Sequence, residues 1–426
     1  MRKRNGIALI WAVSAVLAVL FLQPMSSLGG ELTWVGASGD WSAPESWSTG
    51  SIPVAGDAVS IAVAGAVVNL DVNYEESRLE SLNVGGSGAS GATMDINGYN
   101  LYTSGNIVLG ESAATTGTIN LTNGTVRVSD DTIVGGSGTG VFNLSGGFHW
   151  LDNKLTIGQA AGGSGAYNLD GGLLYVGDGT VVGEYGTAVF NQSGGFHVVH
   201  YELIVGRFAG GSGTLNITGG TVSDNIATIG AGAGSSGTVL LDASTWNTAG
   251  LLSIGVEGTG VVTVQNGGTL SAGSMVVGSN GTFILDPEVA NVTGDFTLMP
   301  NGQLTLDIGG DTPDLVSQLV VGGNGTFGGM ILFNFMNGFA PVAGNTFDLI
   351  RVGGSADFSS AIFGIGGLAP GFEYRFNFDD GTFRLSALND GVIATTVPEP
   401  GTLWLLGGAL FMLGAIVWRR RAADRA

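Results

Sequence analysis

Apolar and polar residues alternate along much of this chain in short runs rich in Val, Ile, Leu and Thr, broken by glycine at regular intervals. Residues 213–230 show the grammar: Gly-Thr-Leu-Asn-Ile-Thr, Gly-Gly, Thr-Val-Ser-Asp-Asn, Ile-Ala-Thr-Ile-Gly. Strict alternation over a few residues is the mark of a half-buried strand, and glycine marks corners that need a tight bend or a positive φ. No window within these runs has a helical period.

The pattern repeats. Residues 141–165 and 189–213 are 48 residues apart and agree at 15 of 25 positions. Inside that period, paired turn residues fall at Asn123-Gly124, Gly146-Gly147, Gly171-Gly172, Gly194-Gly195 and Gly219-Gly220, in steps of 23, 25, 23 and 25. The pair is interrupted at Ser244-Thr245 and returns at Gly267-Gly268. A fixed period of this length marks a repeat architecture. The reading is an all-β parallel β-helix, or solenoid, of about eight coils of 23–25 residues between residues 117 and 301. At about 4.8 Å per coil it makes a rod about 40 Å long. Phe142 and Phe190 are its larger interior side chains. An antiparallel sandwich or propeller is the second reading, disfavoured because no two-residue hairpin turns join equivalent runs.

An open solenoid end would pair with another molecule, so both ends need caps. We divide the chain into a signal peptide (1–30), a Trp-rich β cap with the first coils (31–104), the glycine-rich solenoid (105–301), a Phe-rich β cap (302–396) and a C-terminal tail (397–426). Trp34, Trp41 and Trp47 are read first as cap packing and second as a platform on which sugar rings stack.

Composition narrows the function. There are 77 Gly and no Cys among 426 residues, so no disulfide frames the fold. Seven of the 14 Lys and Arg lie in the terminal segments, which leaves the body together with the tail helix, residues 31–418, near −26. Nucleic acid and anionic lipid are poor partners for such a surface, whereas divalent cations or a cation-bridged acidic polysaccharide fit it.

Catalytic constellations are sparse. His149 and His197 occupy one place in the 48-residue repeat with Leu174 in register between them, so they sit about 10 Å apart, too far to share a metal. They read as surface or ladder histidines. His200 and Glu202 follow His197, but alternation turns His197 and His200 to opposite faces. Asp130 and Asp131, like Asp379 and Asp380, are neighbours whose side chains diverge on a strand. With Lys154 the one lysine between the terminal segments, a uronate lyase has little to work with. Asn-x-Ser/Thr triplets begin at Asn120, Asn123, Asn143, Asn191, Asn216, Asn280, Asn291 and Asn324, and glycosylation there is a hypothesis. We expect no catalytic residue, no cofactor and no metal centre.

The ends are more explicit. Arg2, Lys3 and Arg4 precede an apolar stretch at 7–22 and small residues at 26–30, the order of a secretory signal. At the other end Val397, Pro398, Glu399 and Pro400 precede an uncharged run, 402–418, long enough to cross a bilayer, then Arg419, Arg420 and Arg421. The prolines keep the preceding strip extended, and the arginines favour the cytoplasmic side. This tail resembles the PEP-CTERM sorting signal of Gram-negative bacteria, through which proteins are handed to an exosortase. The Trp-rich opening resembles that of autotransporter-like β-repeat passengers, and the Phe-rich flank is similar to domains that precede PEP-CTERM tails. The resemblance implies an exosortase as partner and an inner-membrane-anchored precursor held transiently by residues 402–418. It then implies release to the cell envelope or an exopolysaccharide-rich biofilm matrix. We therefore expect a non-enzymatic structural or adhesive protein. A β-helix polysaccharide lyase or hydrolase, or a carbohydrate-binding module, is the competing class.

Overall fold

The computed structural model describes residues 31–74, 78–86 and 91–394. The expected signal peptide, tail helix and sorting residues lie outside this range.

The chain winds into a parallel β-solenoid of about 12 turns. One turn comprises Thr139–Leu144, Phe148–Leu151 and Leu155–Ile157. The next comprises Ser164–Leu169, Leu173–Val176 and Gly179–Val182. Equivalent strands pair in parallel without a shift, Phe142 opposite Tyr167 and His149 opposite Leu174. Three sheets result. The first runs from Gly39–Asp40 to Ile362–Gly366, and the third from Glu31–Trp34 to Ala356–Asp357. The second begins where Ala92–Thr103 and Thr116–Val128 bend across a corner to serve two sheets.

The coil count is therefore higher than expected. Eight coils do lie between 117 and 301, and six of them carry the paired-turn signature at the corner. Outside them, other turns close coils of the same kind. In the flank read as a separate Phe-rich cap, Gln303–Ile308 and Met330–Phe335 still continue the first sheet in parallel register. Most of its phenylalanines pack on the core, with Phe327, Phe333 and Phe347 fully buried, while Phe378 is exposed.

Alternation builds the core directly. Thr139–Leu144 buries Gly140, Phe142 and Leu144 and leaves Thr139 exposed. One apolar cluster extends from Leu32 to Leu385, and each buried Val, Leu, Ile or Phe contributes about 1.5–3 kcal/mol. The corner glycines are needed where coils nearly touch. Gly124, Gly147, Gly172, Gly195 and Gly220 all have φ between +68° and +96°. A Cβ on Gly172 would overlap the carbonyl of Gly147 on the coil below. Where the glycine pair is missing, Ala243 takes the positive φ, at +48°, and Ser244 Oγ donates to the Ile217 carbonyl at 2.8 Å.

Both ends are closed. At the N-terminal end the chain folds back so that Trp34 bridges Trp47 antiparallel and Ser48 N–H donates to the Thr33 carbonyl, covering the edge strand. At the other end Thr346–Val352, Thr382–Ala387 and Tyr374–Asp379 form an antiparallel ribbon. Asp380 and Gly381, φ +47° and +70°, make the tight turn between its last two strands. Antiparallel closure stops the ladder of the second sheet from adding another chain in register.

Candidate functional sites

The three tryptophans are interior, not a platform. Trp34, Trp41 and Trp47 are almost wholly buried and meet edge to face, with centroids 5.0 Å and 4.8 Å apart. Every indole N–H is taken: Trp34 by the Ala37 carbonyl at 2.7 Å, Trp41 by the Tyr74 hydroxyl at 2.8 Å, and Trp47 by the Trp41 carbonyl at 2.8 Å. No ring face is open to a sugar, so the stacking reading of these residues is corrected to cap packing. Burial raises the Tyr74 phenol above its usual range, and it donates to the Pro53 carbonyl at 2.6 Å.

His149 and His197 are likewise interior, contrary to the surface alternative. Each lies flat against a phenylalanine, His149 on Phe142 at 4.3 Å and His197 on Phe190 at 4.7 Å. Desolvation lowers both imidazoles to about 3, so they are neutral. His149 bonds the Tyr167 hydroxyl at 2.9 Å and Thr132 Oγ1 at 3.4 Å, while His197 bonds Thr180 Oγ1 at 3.1 Å. Their columns are in register through Leu174.

The adjacent acids have structural partners. Asp130 Oδ1 accepts from Asn153 Nδ2 at 3.1 Å and Asp131 Oδ1 from the Lys154 amide at 3.1 Å, with Asp131 raised by burial. Asp380 is in the closing turn. A pair not foreseen is Asp286, which ends its strand, and Asp307, next to the end of the neighbouring strand of the first sheet. Burial raises Asp286, and raises Asp307 to about 6 against the Asn334 amide that donates to it at 2.9 Å. The Asp307 backbone N–H donates to Ser317 Oγ at 3.0 Å, which ties this pair into the coil stack. Among the described residues no group of three or more His, Cys, Asp or Glu could hold a metal ion.

One polar ladder escaped the sequence reading. Asn120, Asn143, Asn168, Asn191 and Asn216 stand in one column, each Nδ2 donating to the side-chain oxygen one coil below, at 2.7–2.9 Å. Asp95 accepts at the base. Four of these open Asn-x-Ser/Thr triplets, and each amide nitrogen gives one hydrogen bond to the ladder. The signal was present: an asparagine recurs at steps of 23 and 25, each time after an apolar residue.

The outward surface is uneven. The second sheet exposes Phe148, Trp150 and Phe196, with Trp150 stacked on Tyr175 at 4.0 Å. Few cations are present, and several are paired: Arg127 with Asp152 at 3.2 Å, Lys154 with Asp178 at 3.4 Å, Arg207 with Glu184 at 3.1 Å.

These sites define a rod without saying where it goes. The tail does: residues 396–421 match the PEP-CTERM protein-sorting motif. The chain carries a PEP-CTERM sorting signal. The motif spans Val397, Pro398, Glu399, Pro400, Arg419, Arg420 and Arg421, all outside the described residues. It implies export as a membrane-anchored precursor that an exosortase processes. A search of curated proteins found no match to the chain. Among the described residues no helix is long and apolar enough to cross a membrane.

Proposed function

We propose that this PEP-CTERM protein is a non-enzymatic structural or adhesive rod, released from the inner membrane into the cell envelope or an extracellular polysaccharide matrix. The observation that carries the reading is the joining of a sorting tail to a capped stack of about 12 coils. At about 4.8 Å per coil the body is about 55–60 Å long. Such a rod presents the same side-chain columns again and again. Weak contacts made at each coil then combine, because after the first the others are intramolecular. The exposed aromatic strip of the second sheet is a further adhesive surface. The surplus of acids, near −26 over residues 31–418, suits contact with acidic exopolysaccharide through divalent cations.

The test mixes the processed protein with neutral and acidic polysaccharides, with and without calcium. The reading predicts retention on polysaccharide with no change in its chain length. Shortened chains or new unsaturated ends would instead make the protein a carbohydrate-active enzyme.

A further inference from the structure

The third sheet is not a flat face. Alternation turns Val181 and Ile204 outward, yet they are only 3 % and 6 % exposed. Two ridges shelter them. Lys154, Asp178 and Tyr201 stand at the corner before each strand, and Arg207 follows the strand on the other side. The cleft between them has a volume of about 260 Å³ and is lined by residues of three successive coils.

The internal repeat shows that this cleft is a departure from the pattern rather than a consequence of it. In the two related 25-residue segments, interior positions and corner glycines mostly agree. Four of the ten differences fall on residues that line the cleft: Asn153 becomes Tyr201, Lys154 becomes Glu202, Thr156 becomes Ile204 and Gln159 becomes Arg207, while Ala160 beside them becomes Phe208. Likewise Ser137 becomes Tyr185. Packing does not require these aromatics, since the earlier copy folds with small residues in their places. Tyr201 is 52 % exposed. Behind the opposite ridge Tyr185 stacks on Phe208 at 4.7 Å, and the Arg207 guanidinium lies 4.9 Å from the Phe208 ring.

We infer that this cleft binds a neutral glycan chain. Within the lining, Lys154 and Arg207 are balanced by Asp178 and Glu202. The local charge thus draws no polyanion, and the acidic rod around it repels one. A sugar ring offers apolar C–H faces and equatorial hydroxyls. The first match Tyr201 and the apolar floor of Val181 and Ile204. The second match carboxylates and cations fixed in pairs across coils, Lys154 to Asp178 and Arg207 to Glu184. Glu202 has no ion partner among the described residues and is open to accept a hydroxyl. The volume lies below the roughly 300–1,000 Å³ of a drug-sized ligand site, so the deepest part takes one or two rings of a longer chain. This rests on the matrix role proposed above and assigns part of it to one site.

The experiment titrates the processed full-length rod with neutral hexasaccharides of glucose, mannose or galactose and with a polyuronate hexamer, by calorimetry. Tyr201→Asn and Arg207→Gln, which restore the residues of the earlier repeat copy, are measured alongside, with melting temperature as the folding control. Binding of at least one neutral hexasaccharide is expected, weakened at least tenfold in Tyr201→Asn with no change in melting. If no neutral hexasaccharide binds, if the polyuronate binds more tightly, or if Tyr201→Asn binds like the parent, the inference is overturned. Retention of the parent protein on bulk polysaccharide despite such a result would sink the cleft and leave the matrix role standing. Loss of both would sink both. A change in sedimentation in Tyr201→Asn would reassign the cleft to contact between two copies of the chain.

Discussion

His149 Nδ1 lies 2.9 Å from the Tyr167 hydroxyl, one coil above it. His197 repeats His149 after 48 residues, but the residue that repeats Tyr167 is Leu215, and His197 Nδ1 is left buried without a partner. Two side chains in equivalent places thus differ in what they contribute. Aliphatic residues already fill the same column at Leu174 and Val222. His149→Leu strands the hydroxyls of Tyr167 and Thr132, whereas His197→Leu removes an orphan and strands Thr180 alone. Denaturant unfolding is expected to show His149→Leu about 1–3 kcal/mol less stable than His197→Leu. Equal losses would contradict the partner assignment.

The same histidines set the acid limb of stability. Their folded values, about 3, lie below the unfolded 6.5, so the unfolded chain binds more protons between these limits. Stability is complete above pH 6.5 and falls as pH drops toward 3, by about 1.4 kcal/mol per pH unit for each ring. Asp224 acts in the opposite sense. Burial raises it to about 6 although Trp246 Nε1 donates to it at 2.6 Å, so its contribution falls as pH rises from 3.8 to 6. Asp307, less enclosed, follows in the same direction. The parent is expected to show a shallow profile between pH 4 and 6 and a steep loss below 4. His149→Leu/His197→Leu should become less stable as pH rises from 4 to 6. Melting temperatures across pH 3–7 check both.

Corner glycines divide by what lies beneath them. Gly172 combines φ +80° with a Cβ position that overlaps the Gly147 carbonyl, while Gly162, φ +86°, has open space around it. Gly162→Ala should cost about 1 kcal/mol, the strain of a positive φ alone. Gly172→Ala should cost more than twice that, because the coil spacing itself must open. Chemical denaturation of the two variants measures the difference.

The asparagine ladder predicts a position effect. Asn168 donates to Asn143 at 2.7 Å and accepts from Asn191 at 2.9 Å, whereas Asn216 ends the run and makes one such bond. At about 1 kcal/mol per bond, Asn168→Ala should cost about twice what Asn216→Ala costs. Equal costs would mean that the ladder is decorative.

The repeat, its parallel sense and the interior place of Phe142 and Phe190 were legible because alternation and glycine spacing are local signals. The number of turns was not. Outer coils turn without paired glycines, and their phenylalanines resemble a separate cap when the register is unseen. The histidines show another limit. Position 149 shares its column with Val126 and Leu174, an apolar context that marks it as inward, but a polar residue type argued for the surface. The tryptophans of the opening segment pack because fold-back at residues 35–47 brings them together, which spacing alone does not show. The sorting tail needed no structure. The cleft needed one, since the ridges around Val181 and Ile204 come from corners of three coils that are distant in sequence.

Mass spectrometry of the C-terminus of protein recovered from outside the cell tests the account most directly. An exported rod freed by an exosortase should end near Val397–Pro400, without the segment 402–418. Released protein that still carries Arg419, Arg420 and Arg421 would contradict it.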